Sequence, residues 1–353
     1  MSRPRLDNSE RRVPTFQAPA PAASVNMSLS GNGSLSARIA PASGDRSSPP
    51  PDVDALRIAL SKQTQPTADE ITTYFSTRYV EVLILNLRGD LKLNDLIALA
   101  NTDNRNDVLD HPGFRACIKL DLSHSSFGSF KKCYDAVLHP TTNKPLNVVA
   151  KQTIYTNTDN RVTVHPSRDQ GIRLANELVC LAWAKALGRL VDDYIRQVVQ
   201  KKAEGWKPRV ARPAVHFVSA ALAISQGQER AAAIYMVEEK IGGVFHKFIN
   251  NASAKISDSL PSYLQEVALF LAFSQHAQYH LTNKQVFVSD FQGGYENAES
   301  DVILLTDPQI MTSPDLGRIF AEGNVRKSFQ AFPEQHECNV FCEDFELKPL
   351  TGK

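Results

Sequence analysis

Apolar and polar positions follow two rhythms along this chain, and the switch between them outlines its architecture. Ala116–Leu122 alternates, and Gly128–Leu138 continues the alternation through Phe130, Cys133, Tyr134 and Val137. Leu146–Tyr155 is rich in β-branched residues, and the turn at His139–Pro145 predicts that the last two segments form a hairpin. The period then lengthens. Leu174, Leu178, Leu181, Ala184, Leu187 and Val191 recur at helical spacing and predict one long helix over Ile172–Val199. Ala214–Ser219 and Ala233–Glu239 read as strands, Tyr263–Ala277 as a helix, Gln285–Ser289 and Val302–Leu305 as short strands, and Glu334–Phe345 as a final helix. Strands grouped ahead of helices predict an α+β fold in two lobes with a cleft between them.

Upstream the rhythm is less regular. Asp54–Ser61 and Thr67–Ile84 read as helices, the second opened by a capping box at Thr67–Glu70. Asp95–Ala100 reads as a short helix with Asn94 as its N-cap. Residues 53–113 are therefore expected to be a helical N-terminal extension. Residues 1–52 carry eight prolines and ten serines. So little apolar surface cannot offset the entropy of ordering, which predicts a disordered tail.

Composition narrows the classes of function. At 353 residues and 42% hydrophobic content, the chain can bury a substantial core. The balance of 39 Lys+Arg against 38 Asp+Glu leaves no surplus cation for a phosphate backbone, so no nucleic acid partner is expected. There is no apolar run of eighteen residues, so no membrane association is expected, and the charged, proline-bearing N-terminus is unlike a signal peptide. Five cysteines are few and odd in number, which fits a cytoplasmic, reducing compartment where a close Cys pair more often marks a metal.

Candidate chemistry clusters at strand ends. Val286–Ser289 runs into Asp290-Phe-Gln292-Gly293, and Val302–Leu305 runs into Thr306-Asp307-Pro-Gln309. Two adjacent strands delivering acids in this way would gather Asp290, Gln292 and Asp307, oxygen donors of the kind Mg²⁺ takes. Taken singly, each Asp is also what an ordinary turn cap shows. Lys151 ends an apolar strand, either as a solvated edge charge or as an ammonium reserved for phosphate. One hairpin earlier, Gly128-Ser129-Phe130-Lys131 offers a glycine turn and a second cation, a layout suited to nucleotide phosphates. Tyr235–Glu239 followed by Gly242-Gly243 has the character of a hinge, with Glu238 available to an adenine amine or a ribose hydroxyl. His336-x-Cys338-x₃-Cys342 supplies three soft or borderline ligands, and zinc needs a fourth from His276 or His280. The alternative is two ordinary buried thiols on a helical face.

In order along the chain, Val149-Ala-Lys151, Val237-Glu238, Asp290-Phe-Gln-Gly, Thr306-Asp-Pro-Gln-Ile310, Phe320-Ala-Glu-Gly-Asn324 and the His336-x-Cys338-x₃-Cys342 spacing resemble the motifs of the alpha-kinase family of atypical protein kinases. The resemblance covers about Ala116–Leu347. It implies an α+β, two-lobed, protein-kinase-like domain over 114–347, with a mainly β N-lobe to about residue 238 and a mixed C-lobe from about 239, held by a structural zinc; 348–353 would be a tail. It implies ATP-dependent phosphorylation of Ser/Thr in a protein substrate. Lys151 and Lys131 would bind the nucleotide phosphates near Gly128, and Glu238 the adenine or ribose. Gln292 and Asp307 would ligate Mg²⁺ beside Asp290, with Asp307 the catalytic carboxylate. His276, His336, Cys338 and Cys342 would hold zinc, with His276 aligned by one extra residue in Phe273-Ser-Gln-His276 and His280 the alternative. Two further departures stand out. Lys131 replaces a customary Arg, and Val325-Arg-Lys-Ser-Phe-Gln330 replaces a glycine-rich loop, which leaves a nucleotide-binding pseudokinase scaffold as the competing reading.

Overall fold

Period-two burial selects strand over helix at the first element. The computed structural model of the chain describes residues 76–101, 105–128, 130–141, 143–226, 232–316, 320 and 324–351. The segment 1–52, the helix expected at Asp54–Ser61 and the capping box at Thr67–Glu70 lie outside the described residues. Where the expected Thr67–Ile84 helix enters them, the chain is instead strand β1 (Thr77–Asn86), with Val80, Val82 and Ile84 buried and Tyr79 exposed. Apolar side chains at every second position have nowhere to go on a helix but fit one face of a sheet. The described part of 53–113 is thus no helical extension. Only α1 (Leu93–Ala100) and a 3₁₀ turn at Arg105–Val108 are helical there. The cap of α1 is Lys92 rather than Asn94, with the Asp95 carboxylate accepting from the Lys92 N–H at 2.8 Å.

Strands β2 (Phe114–Phe127), β3 (Lys131–Pro140) and β4 (Leu146–Thr156) form a meander; β3 and β4 make the expected hairpin, from Lys131 opposite Thr153 to Leu138 opposite Leu146. After the short β5 (Val162–Val164) comes helix α2 (Ser167–Lys201), starting five residues before its apolar periodicity. It is followed by β6 (Ala214–Phe217), β7 (Ala220–Ser225) and β8 (Ile234–Glu239). The sheet order is β3-β2-β1-β7-β8-β4-β5, and β3 also pairs with β4, so six strands close into a ring. Its interior is filled by Ile84, Ile118, Leu120, Leu138, Val148 and Val237, among others. β1 lies between β2 and β7, inside this ring.

The second half contributes β9 (His246–Lys247), α3 (Gln265–Leu281), β10 (Val286–Ser289), β11 (Gln292–Tyr295), β12 (Val302–Thr306), β13 (Gln309–Thr312), α4 (Arg326–Gln335) and α5 (Val340–Asp344). A four-stranded sheet runs β6-β12-β11-β9, while β10 pairs only with β13. Gly293 permits the first sheet to close, because a Cβ there would lie 1.9 Å from the Leu304 carbonyl oxygen. The single helix expected over Glu334–Phe345 is in fact two, broken at His336–Asn339, where α4 ends and Asn339 caps α5 by accepting from the Phe341 N–H. Among the described residues, no helix is long and apolar enough to cross a membrane.

Helix α2 spans both halves. Leu174, Leu178 and Leu181 pack with Met236 of the ring and Leu304 of β12. Leu178 is fully buried. Leu178→Ala is expected to cost about 2–5 kcal/mol of unfolding free energy, measured by denaturant titration with zinc bound throughout.

Candidate nucleotide and metal sites

On β3, β4 and β8 the residues Tyr134, Ala136, Val148, Ala150, Tyr235 and Val237 point into the ring. The intervening positions Lys131, Lys151 and Glu238 must therefore point outward, toward α2 and β12. Lys151 lies in the middle of β4, not at its end as the sequence suggested, because the strand continues to Thr156. There its Nζ meets Glu238 Oε2 at 2.6 Å, Asp307 Oδ1 at 3.1 Å and Thr306 Oγ1 at 3.2 Å. Thr306 in turn donates its hydroxyl to Glu238 Oε2 at 2.7 Å. Lys131 Nζ reaches the same Asp307 Oδ1 at 2.7 Å and Glu177 Oε2 of α2 at 2.7 Å. Two ammonium groups and three carboxylates thus share one small volume, and a single oxygen of Asp307 accepts from both lysines.

The electrostatics follow from that sharing. Burial alone would lower the Lys151 ammonium, but Asp307 and Glu238 outweigh it and hold the group well above its usual range. Lys131 behaves likewise, with Asp307 and Glu177 opposing its burial. Burial pushes the Asp307 carboxyl upward, yet Lys151 and Lys131 more than offset this and hold it well below the usual carboxylate range. Glu238 Oε1 is buried and has no partner, so one acceptor of the cluster is unused. The Gly128 N–H is engaged within its own turn, donating to the Lys131 carbonyl at 2.8 Å.

Asp290 and Asp307 do not come from adjacent strands. β10 and β12 belong to different sheets, and the acids sit in the two crossings between sheets, Asp290-Phe291 and Asp307-Pro308. Both adopt left-handed backbone, at φ 61° and 49°, a conformation in which Asp is among the few common non-glycine residues. Gln292 pairs with Thr306 across β11 and β12, which brings it beside Asp307. Lys247 Nζ bridges Asp290 Oδ1 at 2.6 Å and Gln292 Oε1 at 3.1 Å. The oxygen donors Asp307, Gln292 and Asp290 are of the hard type that suits Mg²⁺. Their present partners are ammonium groups, so a divalent cation would replace one positive charge by another.

The sequence alone did not single out Glu177, Thr306 or Lys247. Glu177 carries a legible signal, as the only acid between Asp169 and Asp192 in an apolar helix. Thr306 and Lys247 look like ordinary strand residues until the sheets are assembled. A cavity of about 230 Å³ lies away from this cluster, lined by Lys185, Arg212 and His216 among others; none of the predicted site residues borders it.

The second predicted centre is also assembled. One ligand atom each from His276, His336, Cys338 and Cys342 lie within 4.8 Å of one another. Cys338 Sγ is 3.8 Å from His276 Nδ1, and Cys342 Sγ is 3.6 Å from His336 Nε2. A tetrahedral zinc with its usual bond lengths requires ligand separations of roughly 3.5 Å, so the donor set fits. His280 faces solvent and is not part of the cluster. Burial holds His276 down to about 3, assisted by His336 and His280, and holds His336 down to about 4. Both rings are therefore neutral at physiological pH, as metal ligation requires. Burial pushes the Cys342 thiol up to about 12, a proton that zinc would displace.

Two outcomes are expected. Metal analysis of the purified chain should find one zinc, and Cys342→Ser should lose it together with much of the ~10–16 kcal/mol typical of such sites, lowering the melting temperature. Because both folded-state imidazoles lie below their unfolded value, the unfolded chain binds more protons between about pH 6.5 and pH 4. For the metal-free chain, stability should accordingly be full above pH 6.5 and decline steadily below it, as read from denaturant midpoints measured in chelator across that window.

Comparison with known proteins bears on family and fold. The chain is 36% identical over 77 residues to myosin heavy chain kinase C of Dictyostelium discoideum, an alignment covering 22% of this chain and 9% of that protein. It is 36% identical over 118 residues to myosin heavy chain kinase A of the same organism, covering 33% and 9%. These matches span about a tenth of the relatives' length. A solved alpha kinase from Entamoeba histolytica superposes with a TM-score of 0.51 at 15% identity, over 77% of this chain and 92% of that one. That likeness is one of fold. Residues 126–342 match the alpha-kinase family as a whole, and with the fold and the His/Cys cluster in place, the chain belongs to that family.

Proposed function

We propose that this chain is an ATP-dependent protein kinase of the alpha-kinase type, transferring the γ-phosphoryl group of ATP to Ser or Thr of a protein substrate. The observation that carries the reading is the convergence of Lys131 and Lys151 on one oxygen of Asp307, beside Gln292 and Asp290. Phosphoryl transfer needs little covalent help from a protein; it needs charge neutralisation and alignment. Here Lys151 and Lys131 would receive the nucleotide phosphates, and the unused Glu238 Oε1 would accept from adenine or ribose. Gln292 and Asp307, with Asp290 adjacent, would hold Mg²⁺, which when bound neutralises phosphate charge. Asp307 would position the acceptor hydroxyl, and the His276–His336–Cys338–Cys342 zinc would be structural. All five cysteines are unpaired, which suits a cytoplasmic setting.

The relatives are named as kinases of myosin heavy chain; for this chain we propose only a protein substrate with a Ser/Thr acceptor. The acceptor surface differs from the family's glycine-rich pattern. Residues 326–330 begin helix α4, and Ser328 and Phe329 are buried. That helix is the observation favouring the second reading, a nucleotide-binding scaffold without transfer.

Transfer from labelled ATP to a generic basic protein, with Asp307→Asn as control, separates the two. The kinase reading expects transfer by the wild type and a loss of about 10²-fold or more in the variant. Stabilisation by MgATP with no transfer from either would support the scaffold. Equal transfer by both proteins would remove Asp307 from the chemistry and overturn the assignment.

A further inference from the structure

The two lysines at the centre of the site are provisioned in the same way. Each shares Asp307 Oδ1, and each has one further carboxylate of its own. Lys151 has Glu238 Oε2 at 2.6 Å, on the neighbouring strand of the ring. Lys131 has Glu177 Oε2 at 2.7 Å, on helix α2. If Asp307 is to serve a metal and a phosphoryl group, its oxygen must be released by both ammonium groups. After that exchange each lysine is oriented only by its private carboxylate and by the incoming phosphate. Glu177 would then be what keeps the flexible, four-carbon arm of Lys131 in the site.

The position of Glu177 is itself well defined. Seven residues earlier on the same face of α2 lies Gln170, only 1% exposed. Its Oε1 accepts from the Thr153 N–H at 2.9 Å and the Thr153 hydroxyl at 3.1 Å, and its Nε2 donates to the Thr153 carbonyl at 3.0 Å. Thr153 is the cross-strand partner of Lys131 and lies two residues beyond Lys151. The glutamine thus fastens α2 to the β3–β4 hairpin at the register where Lys131 stands. Leu174 and Leu178, flanking Glu177, are fully buried and hold the same turns against the core. A carboxylate so anchored can hold an ammonium at a set place without moving itself.

Building on the nucleotide-site reading above, we infer that Glu177 is the positioning residue for Lys131: it aims that ammonium at the nucleotide phosphates and makes helix α2 a working part of the site. A lysine has no planar fork to fix its own direction. Glu177 supplies the missing direction from outside.

The test is a double-variant cycle on the full chain with zinc bound, reading KM for ATP, kcat, and Kd for Mg·ADP. Glu177→Gln keeps size and helix propensity, and the Gln170–Thr153 tie is untouched, so a near-wild-type melting temperature is expected. KM for ATP and Kd for Mg·ADP should each rise about tenfold, the loss of one charge-assisted hydrogen bond, with kcat changed less than threefold. Lys131→Met should give a rise at least as large, and the double variant should match Lys131→Met alone, since a positioning residue is silent once its ward is gone. Glu177→Asp, which keeps the charge on a shorter arm, should fall between wild type and Glu177→Gln and provides a second check if the amide perturbs folding. Multiplicative effects in the double variant, or an unaltered Kd and KM in Glu177→Gln while wild type binds nucleotide, would overturn this inference alone. Failure of the wild type to bind either nucleotide would instead overturn the reading of the site on which it rests.

Discussion

One carboxylate oxygen joins the two halves of this protein. Asp307 Oδ1 follows the last strand of the C-terminal sheet and accepts from ammonium groups on two strands of the N-terminal ring. Burying charges is costly unless each is matched, and breaking one partner of such a set typically costs about 3–5 kcal/mol. With Glu177 and Glu238 included, the cluster holds two positive and three negative groups. The formal excess of one negative charge makes it receptive to a divalent cation. The arrangement is therefore better understood as a specification of geometry than as a source of stability. Hydrophobic isosteres would hold the halves together at lower cost, but they would not place two cations over an anionic metal site.

Buried glutamines fix the backbone on either side of that cluster in the same manner. Gln170 of α2 bonds both the N–H and the carbonyl of Thr153, two residues beyond Lys151. On the other half, Gln275 of α3 donates to the Val288 carbonyl at 2.9 Å, and Gln278 accepts from the Val288 N–H at 2.8 Å, two residues before Asp290. An amide can give and receive without carrying charge, so it can clamp a backbone in the interior without competing for the ionic cluster. Each half thus presents its reactive side chain from a strand pinned by a neighbouring helix. Preorganisation of this kind is what a reaction dominated by electrostatics requires.

Local pattern made much of this readable. The hairpin carrying Lys131 and Lys151, the long helix, and the strand-then-acid segments ending in Asp290 and Asp307 all follow from periodicity and turn chemistry. The His/Cys spacing named three candidate metal ligands, the resemblance favoured His276 as the fourth, and proximity in space sets His276 rather than His280 beside them. What local pattern could not supply was closure. β1 was read as helical because its apolar residues also fit a mixed pattern when its partners β2 and β7 are unknown. The sheet membership of β10 and β12 was misjudged for the same reason, since pairing is a long-range property. The Gly128 N–H donates to the Lys131 carbonyl, a contact that only the assembled turn reveals.

Helix α2 connects these centres. Its early turns carry Gln170 and Glu177 toward the ionic cluster, while Val191, Ile195 and Val198 pack farther along with Phe341, Cys342 and Phe345. Tyr194 also donates its hydroxyl to the Phe345 carbonyl at 2.7 Å. At 1.5 Å per residue, Glu177 and Tyr194 are separated by about 25 Å of continuous helix. Cys342 belongs to the four-residue His/Cys cluster, and its neighbours Phe341 and Phe345 are the apolar seat of the helix's far end. The five-residue α5 is held by its Asn339 cap and by Arg209, which donates to Asp344 at 2.6 Å and to Glu343 at 2.7 Å. The His/Cys cluster and the Lys131–Glu177 pair are consequently joined by one helix despite their distance. One end of a stiff rod cannot be well placed unless the other is secured, so a metal bound at the His/Cys cluster would bear on where the Lys131 ammonium points.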